Sequence, residues 1–184
     1  MRKPLLIILG GFAGAGKSTL ARRLSREYNF PLFSSDDFIE ATRKAIVQEF
    51  HAVAPIAYDV MWHILDQHLK NAVSLILDAN MCHSRTWQQV DEREQRFTDY
   101  KILPILLECP LEVHKARIEQ RAIHEPEHFN LGGDTFEDIL PKYEFIRALN
   151  REQLIRINAD RPLNEVYLDV QKKIEEYACL DNVT

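Results

Sequence analysis

The chain of 184 residues is 46% hydrophobic and 28% charged with a formal net charge of -5, which suits a single domain, residues 1–184, with a full core. Net acidity speaks against a nonspecific nucleic-acid binder, and Cys82, Cys109 and Cys179 are too few and too scattered for a disulfide framework or a zinc site. No apolar run is long enough to span a bilayer, and the run after Met1-Arg2-Lys3-Pro4 is too short for a signal peptide, so a cytoplasmic location without a membrane partner is expected.

Leu5 to Leu9 is an unbroken apolar run, as in a strand buried on both faces, and Ser18 to Tyr28 carries Leu20, Ala21, Leu24 and Tyr28 at helical spacing. Between them Gly11-Phe12-Ala13-Gly14-Ala15-Gly16-Lys17-Ser18-Thr19 fits G-x-x-x-x-G-K-[ST], in the strand-to-helix setting that the phosphate loop requires. Glycines let backbone N–H groups face a phosphate, Lys17 adds a mobile charge, and the Ser18 hydroxyl can reach a magnesium ion. A nucleoside triphosphate with Mg²⁺ is the expected ligand pair.

Phe30 to Ser34 predicts a second strand, delivering Ser35-Asp36-Asp37-Phe38 to its C-terminal edge before a helix over 38–50. Asp36 and Asp37 are candidates for catalysis or substrate binding, with helix capping as the plain alternative. Residues 51–57, with Pro55, predict a break. Tyr58 to Ala72 then predicts a helix whose inner face holds Val60, Met61, Ile64, Leu65, Leu69 and Ala72. His51, His63 and His68 lack metal-site spacing.

Ser74 to Asp78 predicts a strand ending in an acid, with Ala79-Asn80-Met81 and a helix over 84–97 following. Asp78 is placed to hold magnesium or orient a substrate hydroxyl. Arg85, at the start of that helix, opposes the dipole there and is a candidate for a ligand or for plain surface placement. Lys101 to Glu108 is another buried strand, in which Pro104 asks for an edge position or a bulge. On the helix from Leu111, Arg117 and Arg121 are four apart and share a face; they can clamp phosphates or a base, or pair with Glu112 or Glu119.

His124-Glu125-Pro126-Glu127-His128 matches H-E-x-x-H by letter, but Pro126 opposes the continuous helix that a zincin needs. Residues 122–134 predict a polar loop, a short lid. A helix over 135–149 capped by Asp134 or Thr135, a strand over 153–157 and a helix over 163–177 close the chain. Five strands alternating with helices predict an α/β fold with a parallel sheet.

The loop, the strand-tip acids and the paired arginines together resemble the small P-loop kinases, the group of nucleoside monophosphate, gluconate and shikimate kinases. The resemblance covers nearly the whole length and implies a three-layer P-loop NTPase fold with a five-stranded parallel sheet, flanking helices and a short lid. Ser35-Asp36-Asp37-Phe38, Asp78-Ala79-Asn80 followed by Arg85, and Arg117 with Arg121 resemble more narrowly the polynucleotide 5′-kinases and zeta-toxin-like ATP-binding proteins. That likeness implies Asp36 as general base, with Asp37 the alternative or a substrate ligand. It implies Arg117 on the adenine side, Arg121 on the phosphates, and Gly11, Ala13, Gly14, Ala15, Gly16, Lys17, Ser18 and Thr19 as the nucleotide cradle.

One departure stands out: polynucleotide kinases carry an arginine where this chain has Ile39, with Arg43 one turn later. The expected activity is therefore ATP-dependent phosphoryl transfer to a small-molecule hydroxyl, through Lys17, Asp36 and Arg121, with Ser18 and Asp78 on the metal and Asp37, Asp78 and Arg85 on the substrate. A nucleotide-dependent switch is the rival from another class, and a kinase of polynucleotide 5′-hydroxyls is a further alternative with a nucleic-acid partner. Oligomeric state is not legible.

Overall fold

A computed structural model of the chain describes residues 3–46, 50–124 and 136–179. In order these form β1 (Leu5–Gly11), α1 (Lys17–Tyr28), β2 (Leu32–Ser34), α2 (Ser35–Ile46), α3 (Phe50–Lys70), β3 (Leu75–Asp78), α4 (Ser84–Arg96), β4 (Lys101–Glu108), α5 (Leu111–His124), α6 (Phe136–Ala148), β5 (Ile155–Asn158) and α7 (Leu163–Cys179). The strands make one parallel sheet in the order β2-β3-β1-β4-β5. The chain steps outward from β1 to β2 and returns on the other side of β1 with β4. The C-terminal end of β1 is thus a switch point, where open sheets of this kind leave a crevice for ligands.

Both faces of the sheet are covered, which explains the uninterrupted apolar strands. Leu5, Ile7 and Leu9 pack with Leu20, Ala21 and Leu24 of α1 and with Val166, Val170 and Ile174 of α7. Leu6 and Ile8 face the other way, onto Met61, Trp62 and Leu65 of α3 and Trp87 and Val90 of α4. At about 1.5–3 kcal/mol for each fully buried large side chain, these two layers dominate the fold's stability.

Several boundaries differ from the sequence reading. Helix α2 begins at Ser35, three residues early, so Asp36 and Asp37 lie in its first turn and the Ser34 hydroxyl accepts the Asp37 N–H at 3.4 Å. Carboxylates favour that turn because they complement the helix dipole. Strand β2 is shorter than expected, since Phe30 and Pro31 precede it.

The expected break at 51–57 is absent: α3 runs on through Pro55. A proline inside a helix costs roughly 3 kcal/mol. The buried row Val53, Ala57, Met61, Leu65 and Leu69 runs past it and outweighs that cost. The same row corrects the expected inner face, because Val60 and Ile64 are 44% and 36% exposed and Ala72 lies beyond the helix. Residues 60, 61, 64 and 65 are all apolar, so periodicity could not choose between the two stripes.

Pro104 is not on an edge strand, since β4 pairs with both β1 and β5. The Lys101 N–H bonds to Pro4 in the direction of β1. Alternation therefore points position 104 the other way, where β5 pairing starts only at Ile105. The missing donor falls where the strand is locally an edge.

Residues 125–135, which carry nearly all of the expected lid at 122–134 and the expected caps Asp134 and Thr135, lie outside the described residues; residues 122–124 complete α5. Among the described residues no helix is long and apolar enough to cross a membrane.

Candidate active site

The loop between β1 and α1 is closed by its own backbone and open to a ligand. Ala15 N–H and the Lys17 ammonium both donate to the Phe12 carbonyl, at 3.2 Å each. Gly16 caps α1 at φ 89°, a left-handed conformation that suits glycine, and no side chain caps the helix. Its first-turn N–H groups remain available, as an anion site at a helix start requires.

Helix α5 is pressed against the underside of this loop. A Cβ on Gly14, at φ 77°, would meet the His114 carbonyl oxygen at 3.2 Å and the Arg117 Cβ at 3.3 Å, so only glycine allows the approach. Arg117 donates to the Gly14 carbonyl at 3.2 Å and to the Ala159 carbonyl at 3.1 Å, tying the loop to the turn after β5. For Arg117 these contacts stand in place of the alternative pair with Glu112 or Glu119. Arg121 is exposed in the last turn of α5.

Asp78, at the tip of β3 beside β1, is 4% exposed. Burial holds its carboxyl above the usual carboxylate range, opposed by the Lys17 charge and a hydrogen bond with the Ser18 hydroxyl and reinforced by the Asp36 charge. Lys17, Ser18, Asp78 and Asp36 are therefore brought together from three elements. Asp36 also acts on Tyr58, whose hydroxyl lies within hydrogen-bonding reach of Ser35 and the Asn80 backbone and is pushed up to about 12 by burial. Asp37 is exposed in the same first turn of α2.

The outer wall is polar and loosely held. Arg85 pairs with Asp59 at 3.2 Å while both side chains remain 66% exposed, a pairing worth only about 0–1 kcal/mol and easily exchanged for a ligand. Arg43, one turn after Ile39, pairs with Glu40 at 3.1 Å, both side chains being about half exposed. His83 stands before α4 without a side-chain cap. Across from it, α6 packs Ile139 and Ile146 into a cluster with Phe12 and Cys82. This brings the Lys142 charge close to His83 and Cys82; burial sets the direction for both, lowering the imidazole and pushing the thiol up to about 12.

Three residues here were missed in the sequence. Tyr58 and Lys142 reach the site only through tertiary packing, which no local spacing announces. His114 lies three residues before Arg117, on the same face of α5, and that spacing was a usable signal. Among the described residues no cluster of three or more His, Cys, Asp or Glu side chains is arranged to hold a metal, and His68 lies edge-on to Phe33. A groove of about 350 Å³ between α4 and α6, lined by Trp87, Gln88, Asp91, Phe145 and Arg151 among others, shares none of the residues of the phosphate loop.

Among solved structures, the chain superposes on a Chloroflexus aurantiacus protein described only as a candidate kinase, with TM-score 0.72 and 19% identity over 92% of this chain and 98% of that one. A sugar kinase from Janibacter sp. gives TM-score 0.65 at 16% identity over 94% and 95% of the two chains. A gluconokinase from Sinorhizobium meliloti gives 0.62 at 13% over 97% and 95%. These likenesses show that the fold is that of small P-loop kinases. Shikimate kinase from Corynebacterium efficiens is 42% identical over 59 residues, 32% of this chain and 34% of the relative. Its counterpart from Corynebacterium glutamicum is 44% identical over 54 residues, 29% and 32% of the two chains, so the match spans about a third of these curated relatives. The AAA_33 family model, an AAA domain, matches residues 6–146, from β1 through the phosphate loop, Asp36, Asp78 and the α5 arginines; the chain belongs to that family.

Proposed function

We propose that the chain is an ATP-dependent phosphotransferase that moves the γ-phosphoryl group to a hydroxyl of a small molecule. The observation that carries this reading is the pair of carboxylates on the open side of the loop. Asp78 is buried against Lys17 and Ser18, whereas Asp36 is exposed in the first turn of α2 and close enough to act on Asp78. A phosphate-holding site needs only the first. An exposed carboxylate beside it supplies what a hydroxyl acceptor needs, a proton acceptor on the far side of the transferring group.

In this reading the loop N–H groups, the first turn of α1 and Lys17 hold the β- and γ-phosphates and neutralise charge as it develops. Ser18 and Asp78 fit a magnesium ion: a hydroxyl and a buried carboxylate whose charge the protein does not fully compensate are hard oxygen donors. Bound there, the ion supplies further neutralisation of the phosphate oxygens. Asp36 accepts the proton of the acceptor hydroxyl, with Asp37 the alternative. Asp37, Asp78, Arg85 and Tyr58 contribute to the acceptor's surroundings, and Arg117 lies beside the turn after β5, on the side assigned to the base of the nucleotide. Arg121 is assigned to the phosphates. Relatives described as shikimate kinase, gluconokinase and sugar kinase support a small-molecule acceptor.

The test is incubation with labelled ATP and a panel of sugars, sugar acids, other hydroxylated metabolites and 5′-hydroxyl oligonucleotides. Transfer of label to a small hydroxyl compound is expected. Transfer only to oligonucleotides supports the nucleic-acid alternative, and slow hydrolysis with every compound supports a nucleotide switch.

A further inference from the structure

His114 is 1% exposed, sits on α5 against the phosphate loop, and is the most deeply buried of the charged and polar side chains among the described residues. Its Nδ1 lies 2.8 Å from the Ala13 carbonyl oxygen. A carbonyl only accepts, so the imidazole carries its proton on Nδ1 and donates. The Cys109 sulfur stands 3.3 Å from Nε2 and 3.5 Å from Nδ1, so the carbonyl contact rather than the thiol sets the tautomer. The ring is wedged edge-on between Phe12, at 5.2 Å, and Tyr143, at 5.6 Å, so its orientation is set by packing before any ligand arrives.

The carbonyl it holds belongs to the peptide joining Ala13 and Gly14. In a planar trans peptide the C=O and N–H point in opposite directions. Turning the Ala13 oxygen toward α5 therefore turns the Gly14 N–H away from α5, toward the open side of the loop. The next carbonyl, that of Gly14, is held by Arg117, and its partner N–H on Ala15 is used inside the loop on Phe12. Of these two consecutive peptides, the one that His114 controls is the one whose N–H has no partner within the loop's own backbone turn.

We propose that His114 is a positioning residue of the phosphate loop: by donating to the Ala13 carbonyl it aims the Gly14 N–H at the nucleotide's phosphate chain. The inference rests on the reading of the loop as a nucleotide site. It gives α5 a second role besides carrying Arg117 and Arg121, because the same helix sets the direction of the loop's donors.

The test compares His114→Asn, His114→Gln and His114→Leu with the wild type by calorimetric titration with a non-hydrolysable ATP analogue and with inorganic tripolyphosphate, alongside thermal unfolding. Asparagine can place an N–H where Nδ1 stood, glutamine places it one bond further out, and leucine has none. Losing one oriented hydrogen bond should weaken both ligands about 3- to 10-fold in the leucine and glutamine variants. The asparagine variant should stay within about twofold of the wild type. Tripolyphosphate should fall by the same factor as the ATP analogue, which a merely structural role of the ring would not require. If the leucine variant does not fold, the asparagine and glutamine variants decide the matter between them. Equal affinity across the variants, or an asparagine variant as weak as glutamine, overturns the inference. A wild type that binds neither probe overturns the nucleotide reading as well, whereas failure of the inference alone shows only among the variants.

Discussion

The two sides of the crevice at the end of β1 are built differently. On the nucleotide side, consecutive backbone carbonyls of the loop are held by buried or half-buried side chains of α5, and a glycine at position 14 lets that helix approach to contact distance. On the side proposed for the acceptor, Asp36, Asp37, Asp59 and Arg85 are exposed, and Arg85 has a weak surface pair as its partner. A phosphate chain is the same in every reaction of ATP, so its site can be rigid; an acceptor differs from one enzyme to the next, and the site proposed for it is made of replaceable surface groups. Rigidity under the acceptor wall comes instead from further back. Arg93 of α4 meets Asp66 of α3 at 2.7 Å, both largely buried, and stacks on Trp62, pinning the two helices that carry Asp59 and Arg85.

The contrast is sharpest at Lys17. Lys17→Ala should lower ATP turnover by about a thousandfold, in line with removing a preorganised charge from a transferring phosphate. Steady-state ADP release measures it, and a loss under tenfold would mean that the loop does not hold the reacting phosphate. On the other side, Asp36→Asn should reduce acceptor phosphorylation about 100- to 1,000-fold while leaving ATP affinity nearly unchanged. Should Asp37→Asn instead carry that loss, the base assignment passes to its neighbour.

Between the two sides lies the stability of their supports. Asp66→Asn strands the Arg93 guanidinium in a buried site and should cost about 3 kcal/mol, read as a lower midpoint of chemical denaturation. A cost under 1 kcal/mol would show that the pin is dispensable. Arg117→Lys removes a fork that serves two carbonyls with two nitrogens, and should lower ATP affinity about tenfold through the loop.

The smallest effect has the opposite sign. Burial raises the Asp78 pKa above its ordinary value of 3.8, so the folded state holds that proton more tightly than the unfolded one. Stability from this group is complete below the ordinary value and is lost as pH rises through the raised one. Asp78→Asn should therefore raise the thermal midpoint of the ligand-free protein by about 2–4 °C at neutral pH and flatten its fall with pH, while abolishing the response to magnesium. A variant less stable than the wild type at pH 7 would mean that Lys17 and Ser18 more than compensate the buried charge.

Legibility in the sequence followed the same division. Strands β1, β3 and β4, helix α1 and the loop are local patterns, since a doubly covered strand is apolar throughout and the phosphate loop needs its glycines at fixed spacing. Asp36 and Asp78 were readable because parallel strands deliver their ends to one edge. The acceptor wall was harder. The path of α3 through Pro55 was decided by a buried row of side chains, and the proline's local signal pointed the other way. Tyr58 and Lys142 carry no spacing signal, because each belongs to the site only through the helix it packs with. Arg117 was singled out by its spacing from Arg121, but its carbonyl partners at Gly14 and Ala159 are far away in the chain.

The most direct test of the account is the fate of the γ-phosphate once an acceptor has been found. Phosphorylated acceptor, ADP and free phosphate are quantified together in one reaction, for the wild type and for Asp36→Asn. The account predicts about one phosphorylated acceptor for each ADP in the wild type, and a collapse of that product with ATP binding retained in the variant. ADP matched by free phosphate, equally in both proteins and whatever acceptor is supplied, would contradict it.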